Sequence, residues 1–325
     1  MKLSDVQIKD KYDRTFFENP KAGQFHVYNR SYRFQNSNPE THVNDIYNIM
    51  QTYQENSKPK ILAFLCDNGP DFNPASLNVF FCMGELWKKL DLDQLIICSY
   101  APHCSKFNPI EIAWGTLSQA LAQITLVSDH EKYQYKNNDE DLKKLFSQAQ
   151  DELSDIWSKT SYAQTFVKCT NIKPDSKESP YNRYEELKDV LKRGKNHEKN
   201  IEYKENIQFL LTHCVKRAYY LHFKKCQKSE CTHCKGSPIK NQEALKVLEK
   251  FENQLPMPIL LEDFYNSEKY PSFLDLINNE SLLKPYHQER EKYINKAKKE
   301  NIICTKCEWL YESNADLQKH KRYCK

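Results

Sequence analysis

Two unbroken apolar runs, Ile61-Leu62-Ala63-Phe64-Leu65-Cys66 and Leu95-Ile96-Ile97-Cys98, constrain the fold of this chain more than any other feature. Short apolar runs bounded by turn formers read as strands buried on both faces, the habit of parallel sheets. The first run ends at Asp67-Asn68-Gly69-Pro70-Asp71, a cluster of turn formers. Asn73-Pro74 then offers a cap and a first-turn proline for a helix carrying Leu77, Phe80, Phe81, Leu86, Trp87 and Leu90 at near-helical spacing. The second run leads through residues 99–107 to Asn108-Pro109-Ile110-Glu111. There Asn108 can cap, Pro109 suits the first turn and Glu111 favours the positive helix end. Ile110, Trp114, Leu117, Leu121 and Ile124 share one side of that helix. Strand, helix, strand, helix in this order predicts an α/β fold with a parallel portion in its sheet.

The flanking elements are weaker. Residues 24–28 and 32–34 are expected as short strands, 43–53 and 142–157 as helices, and 173–182 as a linker. Beyond that point the chain reads as mostly helical and lysine-rich. A length of 325 residues suits about two domains. Mean hydropathy of −0.82, with no apolar run near the ~18 residues of a membrane span, argues against a transmembrane protein. Met1-Lys2-Leu3-Ser4-Asp5 has no apolar signal segment, so an intracellular chain is expected. Six glycines are too few to suggest a glycine-loop nucleotide fold, and no pattern points to a small-molecule substrate.

Asp67 leaves one buried strand and Glu111 opens the helix after the next. In an open α/β sheet ligands bind at such strand ends, and converging carboxylates there can hold Mg²⁺. Turn and helix-end roles explain both residues nearly as well. The block 65–71, Leu-Cys-Asp-Asn-Gly-Pro-Asp, followed by 100–114, Tyr-Ala-Pro-His-Cys-Ser-Lys-Phe-Asn-Pro-Ile-Glu-Ile-Ala-Trp, resembles the integrase-like core of mariner-like DDE transposases. The resemblance covers roughly residues 25–125. It implies a ribonuclease-H-like mixed sheet, with Asp67 and Glu111 as the second and third acidic residues. It also implies Mg²⁺ or Mn²⁺ as cofactor and DNA as partner, for phosphodiester cleavage or strand transfer by two-metal chemistry. The first acidic residue of that family lies on the opening strand. Asp5, Asp10, Asp13 and Asp45 are what this chain offers before Asp67, and Asp45 falls in an expected helix. Catalysis therefore depends on a first acidic ligand, and a shortened or repurposed core is the reading.

Twelve cysteines in a reducing compartment call for a use other than disulfides. Cys66, Cys82, Cys98, Cys104, Cys169 and Cys214 are scattered in apolar surroundings, as small core residues are. The other six form two tight groups. Cys304-x2-Cys307-x12-His320-x3-Cys324 supplies four ligands at the spacing that lets a hairpin and a helix give two each to tetrahedral Zn²⁺. With Tyr311 and Leu317 at its two core positions, it resembles the ββα zinc finger with Cys in place of the last His. Cys226-x4-Cys231-x2-Cys234 is a knuckle wanting a fourth ligand. His213, His222 and His233 are near in sequence. His233 is wedged between two ligands and His222 lies within an expected strand, 218–223, so His213 is chosen. A redox role for these thiols is the weaker alternative, since no Cys-x-x-Cys opens a helix in a thioredoxin-like way.

The net charge of +4 is unevenly placed. From Lys284 to Lys325 there are eleven Lys and Arg against six Asp and Glu, a local +5, which leaves −1 for the rest. Such a tail can meet a polyanion, although solvated lysine-rich helices are common. In the finger, Ser313, Asp316 and Lys319 occupy the positions that face bases, and Lys321 and Arg322 add charge. DNA contact by Lys319, Lys321 and Arg322 and contact with a protein partner carry equal weight. A nuclear location follows only from the DNA partner. The expected organisation is a core over residues 1–165, a helical region with the knuckle over 166–250, a helical linker over 251–300 and the finger over 301–325. The alternative to a DNA-binding protein is a catalytically inactive zinc scaffold.

Overall fold

The computed structural model describes residues 6–9, 15–18, 24–74, 76–99, 108–126, 139–162, 165–174, 198–217, 220–226, 228–240 and 314–321, with isolated positions between 242 and 305. The side chains of 6–18 and 198–200 and of some scattered positions lie outside the description. The chain is a mixed α/β protein that divides by its contacts into two units, residues 1–37 with 109–178 and residues 38–108 with 179–325. This division crosses the domain boundary expected near residue 165.

In the first unit β1 (Val6–Lys9) pairs antiparallel with β2 (Thr15–Glu18). Strand β3 (His26–Arg30) pairs in parallel with a strand 142 residues later in register, His26 opposite Lys168. Residues 32–34, expected as a strand, instead form a turn. The N–H groups of Phe34 and Gln35 both donate to the carbonyl of Ser31, which leaves Tyr32 exposed. Helix α3 (Pro109–Ala120) begins where Asn108-Pro109 predicts. A longer helix (Asp139–Ser158) carries Asp139, Glu140 and Asp141 in its first turn, where acidic groups meet the positive helix end. Val27, Leu117 and Val167 form the small core with Phe25, Trp157, Tyr162 and Cys169 around them. Gln150 clips the parallel pair, its Nε2 donating to the carbonyls of Asn29 and Ile172 at 2.8 Å each.

The second unit carries the larger core. Helix α1 (Pro39–Gln51) starts at a capping box in which Asn38 and Thr41 satisfy each other's backbone N–H groups. This explains why it begins four residues before the expected Val43. Strand β4 (Ile61–Cys66), helix α2 (Leu77–Lys89) and strand β5 (Gln94–Ser99) follow. Strands β4 and β5 are parallel, as their apolar runs predict. Only β5 is buried throughout; Leu65 of β4 is exposed because β4 is the sheet's edge. Helix α2 starts at Ser76–Leu77 and not at Asn73-Pro74, since Phe72 and Ser76 donate back to Gly69 and Asn73 in successive turns.

In chain order the labels continue with α4 (Asp139–Ser158), β6 (Ser161–Tyr162), β7 (Thr165–Phe166), β8 (Lys168–Ile172) and α5 (Glu198–Thr212). After them come β9 (Cys214–Arg217), β10 (Tyr220–Lys224), α6 (Thr232–Gly236) and α7 (Asn314–Lys321). The sheet order is β4-β5-β10-β9, with β10 antiparallel to both of its neighbours. The region expected as a helical module is corrected here. A hairpin before the knuckle completes the same sheet as β4 and β5, because Leu221 and Phe223 bury against the helix-facing side of β5. That side packs on α2 and α5, with Phe80, Phe81, Leu86, Trp87, Leu95, Ile97 and Leu210 all nearly inaccessible.

Gly84 sits mid-helix in α2, where glycine weakens a helix. A Cβ there would lie 2.7 and 2.9 Å from the two terminal carbons of Leu210 and 3.1 Å from Phe223. The close approach of α5 therefore requires glycine. Gly84→Ala is expected to lower stability by about 1–2 kcal/mol in a urea melt, the overpacking penalty exceeding the gain in helix propensity. A stabilised variant would show that α5 can move away freely.

Candidate metal centre

Strand pairing brings the ends of the β9–β10 hairpin together, and with them two of the predicted ligands. His213 lies one residue before β9 and Cys226 two residues after β10, and the Lys224 N–H donates to the His213 carbonyl at 2.9 Å. The chain then turns through Ser229-Glu230, with the Cys231 N–H bonded to the Lys228 carbonyl. It enters the single turn of α6, for which Cys231 is the N-cap and Cys234 is buried. The four ligand atoms of His213, Cys226, Cys231 and Cys234 all lie within 4.8 Å of one another. His213 Nε2 is 3.2 Å from Cys226 Sγ and 3.3 Å from Cys231 Sγ. A zinc tetrahedron with bonds of about 2.0–2.3 Å has edges of about 3.5–3.8 Å, close to these separations. The four residues could therefore hold a metal ion, and one imidazole with three thiols is a zinc donor set.

Supporting contacts fix the ligands. His213 Nδ1 lies 2.8 Å from the Phe209 carbonyl, which can only accept, so Nδ1 carries the proton and Nε2 presents its lone pair to the thiols. The Thr212 hydroxyl lies 3.0 Å from the same nitrogen. The Cys226 N–H donates to Cys234 Sγ and the Cys234 N–H to Cys231 Sγ, at 3.2 and 3.5 Å. Burial works to raise the Cys231 thiol, but the N–H of Cys234, the Cys226 and Cys234 thiols and the N–H of His233 outweigh it. This thiol is thereby held below its ordinary value. Burial pushes the Cys234 thiol up to about 12. His233 lies outside this group and turns its ring onto Trp87 and Phe209, at centroid distances of 5.2 and 5.7 Å. His222 is buried in β10 and bonded to Tyr220 and Gln94 on the way.

The other predicted residues are distributed differently. Among the described residues the tetrad is the one group of three or more side chains able to share a metal, and Asp67 and Glu111 are not in it. Asp67 stands exposed just past β4 in the second unit, and Glu111 exposed in the first turn of α3 in the first unit. Nothing in their placement supports Mg²⁺ or Mn²⁺. Asp45 is buried on helix α1, so it cannot be the strand-borne acid. Asp5, Asp10 and Asp13 lie outside the described residues, as do Cys304, Cys307, Tyr311, Arg322 and Cys324. His320 and Lys319 are on α7 with side chains outside the description, and Lys321 is exposed. Leu317 is 1% exposed and belongs to the core cluster of the second unit. Of the scattered cysteines, Cys82 and Cys98 are buried and Cys66, Cys169 and Cys214 half-buried, while Cys104 lies outside the described residues. Burial raises the Cys66, Cys98 and Cys214 thiols, which suits inert packing groups.

Compared with protein families, with curated proteins and with solved structures, the chain matches none. No helix among the described residues is long and apolar enough to cross a membrane.

Proposed function

We propose that the protein is a zinc-stapled, DNA-binding protein built on a mariner-transposase-like core, with strand cleavage or transfer only where a first acidic ligand joins Asp67 and Glu111. The carrying observation is the His213–Cys226–Cys231–Cys234 tetrad. It provides four protein ligands and so a closed tetrahedral site, the arrangement of structural zinc, whereas catalytic sites keep a position open for water or substrate. The resemblance to the transposase family and the basic tail support the DNA partner and, with it, a nuclear location. The Cys304–Cys307–His320–Cys324 set is the second zinc site in this reading. Metal analysis of purified protein is expected to give two zinc per chain, falling to one when Cys304 and Cys307 are both replaced by serine.

DNA binding is tested by a salt series. If Lys319, Lys321 and Arg322 each neutralise a phosphate, replacing all three with alanine flattens the slope of log affinity against log salt by about 3. One observation favours the second reading, a scaffold for protein contacts: Leu317 on α7 is buried in the core cluster, so the helix that would read bases is seated on protein. A salt-independent affinity, or a slope the triple variant does not change, would leave that scaffold as the function.

A further inference from the structure

The knuckle has a second fastening that uses no ligand. Lys225 immediately precedes Cys226, and Ser237 and Lys240 follow Cys234, so these residues form the neck of the ligand loop. All three reach the turn between α2 and β5. Lys225 Nζ lies 2.9 Å from Asp91 Oδ1 and 3.3 Å from Asp93 Oδ1, and donates to Ser237 Oγ at 2.9 Å. The Ser237 hydroxyl donates to Asp91 Oδ2, and the Lys240 N–H to Asp93 Oδ2 at 2.8 Å. Main-chain bonds run alongside, from Lys225 N–H to the Asp93 carbonyl at 3.0 Å. The side chains of Lys225 and Asp93 are wholly inaccessible, and Lys240 Nζ, 3.7 Å from Asp91, brings the group to neutrality.

The backbone at Asp91 indicates what its side chain is for. Helix α2 ends in a Schellman motif: the Asp91 N–H bonds to the Lys88 carbonyl and the Leu92 N–H to the Trp87 carbonyl. Asp91 occupies the left-handed position, φ 49°, that glycine usually fills in this motif. A buried ion pair is also weak evidence for stability by itself, since apolar residues of equal volume do as well. A charged, non-glycine residue in that turn, aimed at the neck of a metal-binding loop, fits a role in fixing geometry.

We propose that Asp91, Asp93, Lys225 and Ser237 are positioning residues of the metal site, a buried ionic clamp that closes the neck of the 226–234 loop and holds the ligands in place before metal arrives. The clamp deepens the zinc reading of the tetrad and rests on it. The test uses the full chain with Cys304→Ser and Cys307→Ser, so that one tetrad takes up metal, and measures Zn²⁺ affinity by competition with a chromophoric chelator. Asp91→Gly relieves the left-handed turn but leaves the buried Lys225 with Asp93 as its remaining carboxylate, so the urea midpoint of the metal-free protein should fall and zinc should bind about tenfold or more weakly, as loss of supporting contacts does. Ser237→Ala, which leaves the turn intact, should weaken zinc in the same direction. Zinc affinities within about twofold of the parent for both variants overturn the clamp. If the parent takes up no zinc, the zinc reading falls and the clamp is read alone, by labelling metal-free thiols with a disulfide reagent. Faster labelling of Cys226, Cys231 and Cys234 in Asp91→Gly supports it, and equal rates overturn it.

Discussion

Removing the metal with a strong chelator, or replacing Cys234 with alanine, is expected to cost this protein more than its knuckle. The tetrad joins both ends of the β9–β10 hairpin, and β10 is an inner strand of the main sheet, paired with β5 through residues 220–224. Losing the staple therefore loosens a strand that carries Leu221 and Phe223 into the core. Ligand linkage sets the scale: a metal present at about 1,000 times its Kd stabilises the fold by about 4 kcal/mol. With Cys304→Ser and Cys307→Ser in place so that the tetrad alone takes up metal, thermal melts with zinc and with chelator should thus separate by several degrees or more, and adding Cys234→Ala should give the chelated melt whether or not zinc is added. Hydrogen exchange should show the β10 amides losing protection while those of β4, on the far side of β5, keep theirs. Coincident melts with and without chelator would remove the structural role of the tetrad.

The parts of this architecture that depend on neighbouring residues are legible in the sequence. The run from Ile61 to Cys66 is a strand with those bounds, and Pro109 opens its helix as the Asn-Pro pair predicts. The knuckle is legible too: three of its ligands lie within nine residues, and the choice of His213 needs only that the chain between it and Cys226 be a hairpin. Whatever depends on distant pairing is not legible. An apolar run does not say whether its strand is central or at an edge, so β4 was expected to be buried on both sides. Nothing local in Tyr220–Lys224 announces a partner more than a hundred residues earlier, so the strand expected over 218–223 falls, in the sequence reading, within a separate helical module. Asp91 and Asp93 look like ordinary turn residues in Leu90-Asp91-Leu92-Asp93. Only the sheet brings Lys225 to them.

Trp87→Ala is expected to be the most damaging single substitution in the second unit. The ring is wholly buried and touches both the sheet and the metal centre. It stacks on Phe209 and Phe223 at centroid distances of 6.1 and 5.9 Å, and lies 5.5 Å from His213 and 5.2 Å from His233. Truncating a buried tryptophan leaves a cavity and costs about 3–5 kcal/mol, a large share of the ~5–15 kcal/mol that holds a typical domain. Here the cavity would open behind a ligand. Phe209 supplies both a ring against Trp87 and the carbonyl that fixes the His213 tautomer, so zinc affinity should fall together with stability. Trp87→Phe separates the two effects. It keeps an apolar ring and removes the indole Nε1, a buried nitrogen with no hydrogen-bond partner, whose loss carries no penalty of its own. Trp87→Phe should therefore recover most of the zinc affinity and more than half of the lost stability in matched urea melts and chelator competitions. If Trp87→Ala loses stability but binds zinc as tightly as the parent, the aromatic layer supports the core alone, and His213 is held by its hydrogen bonds.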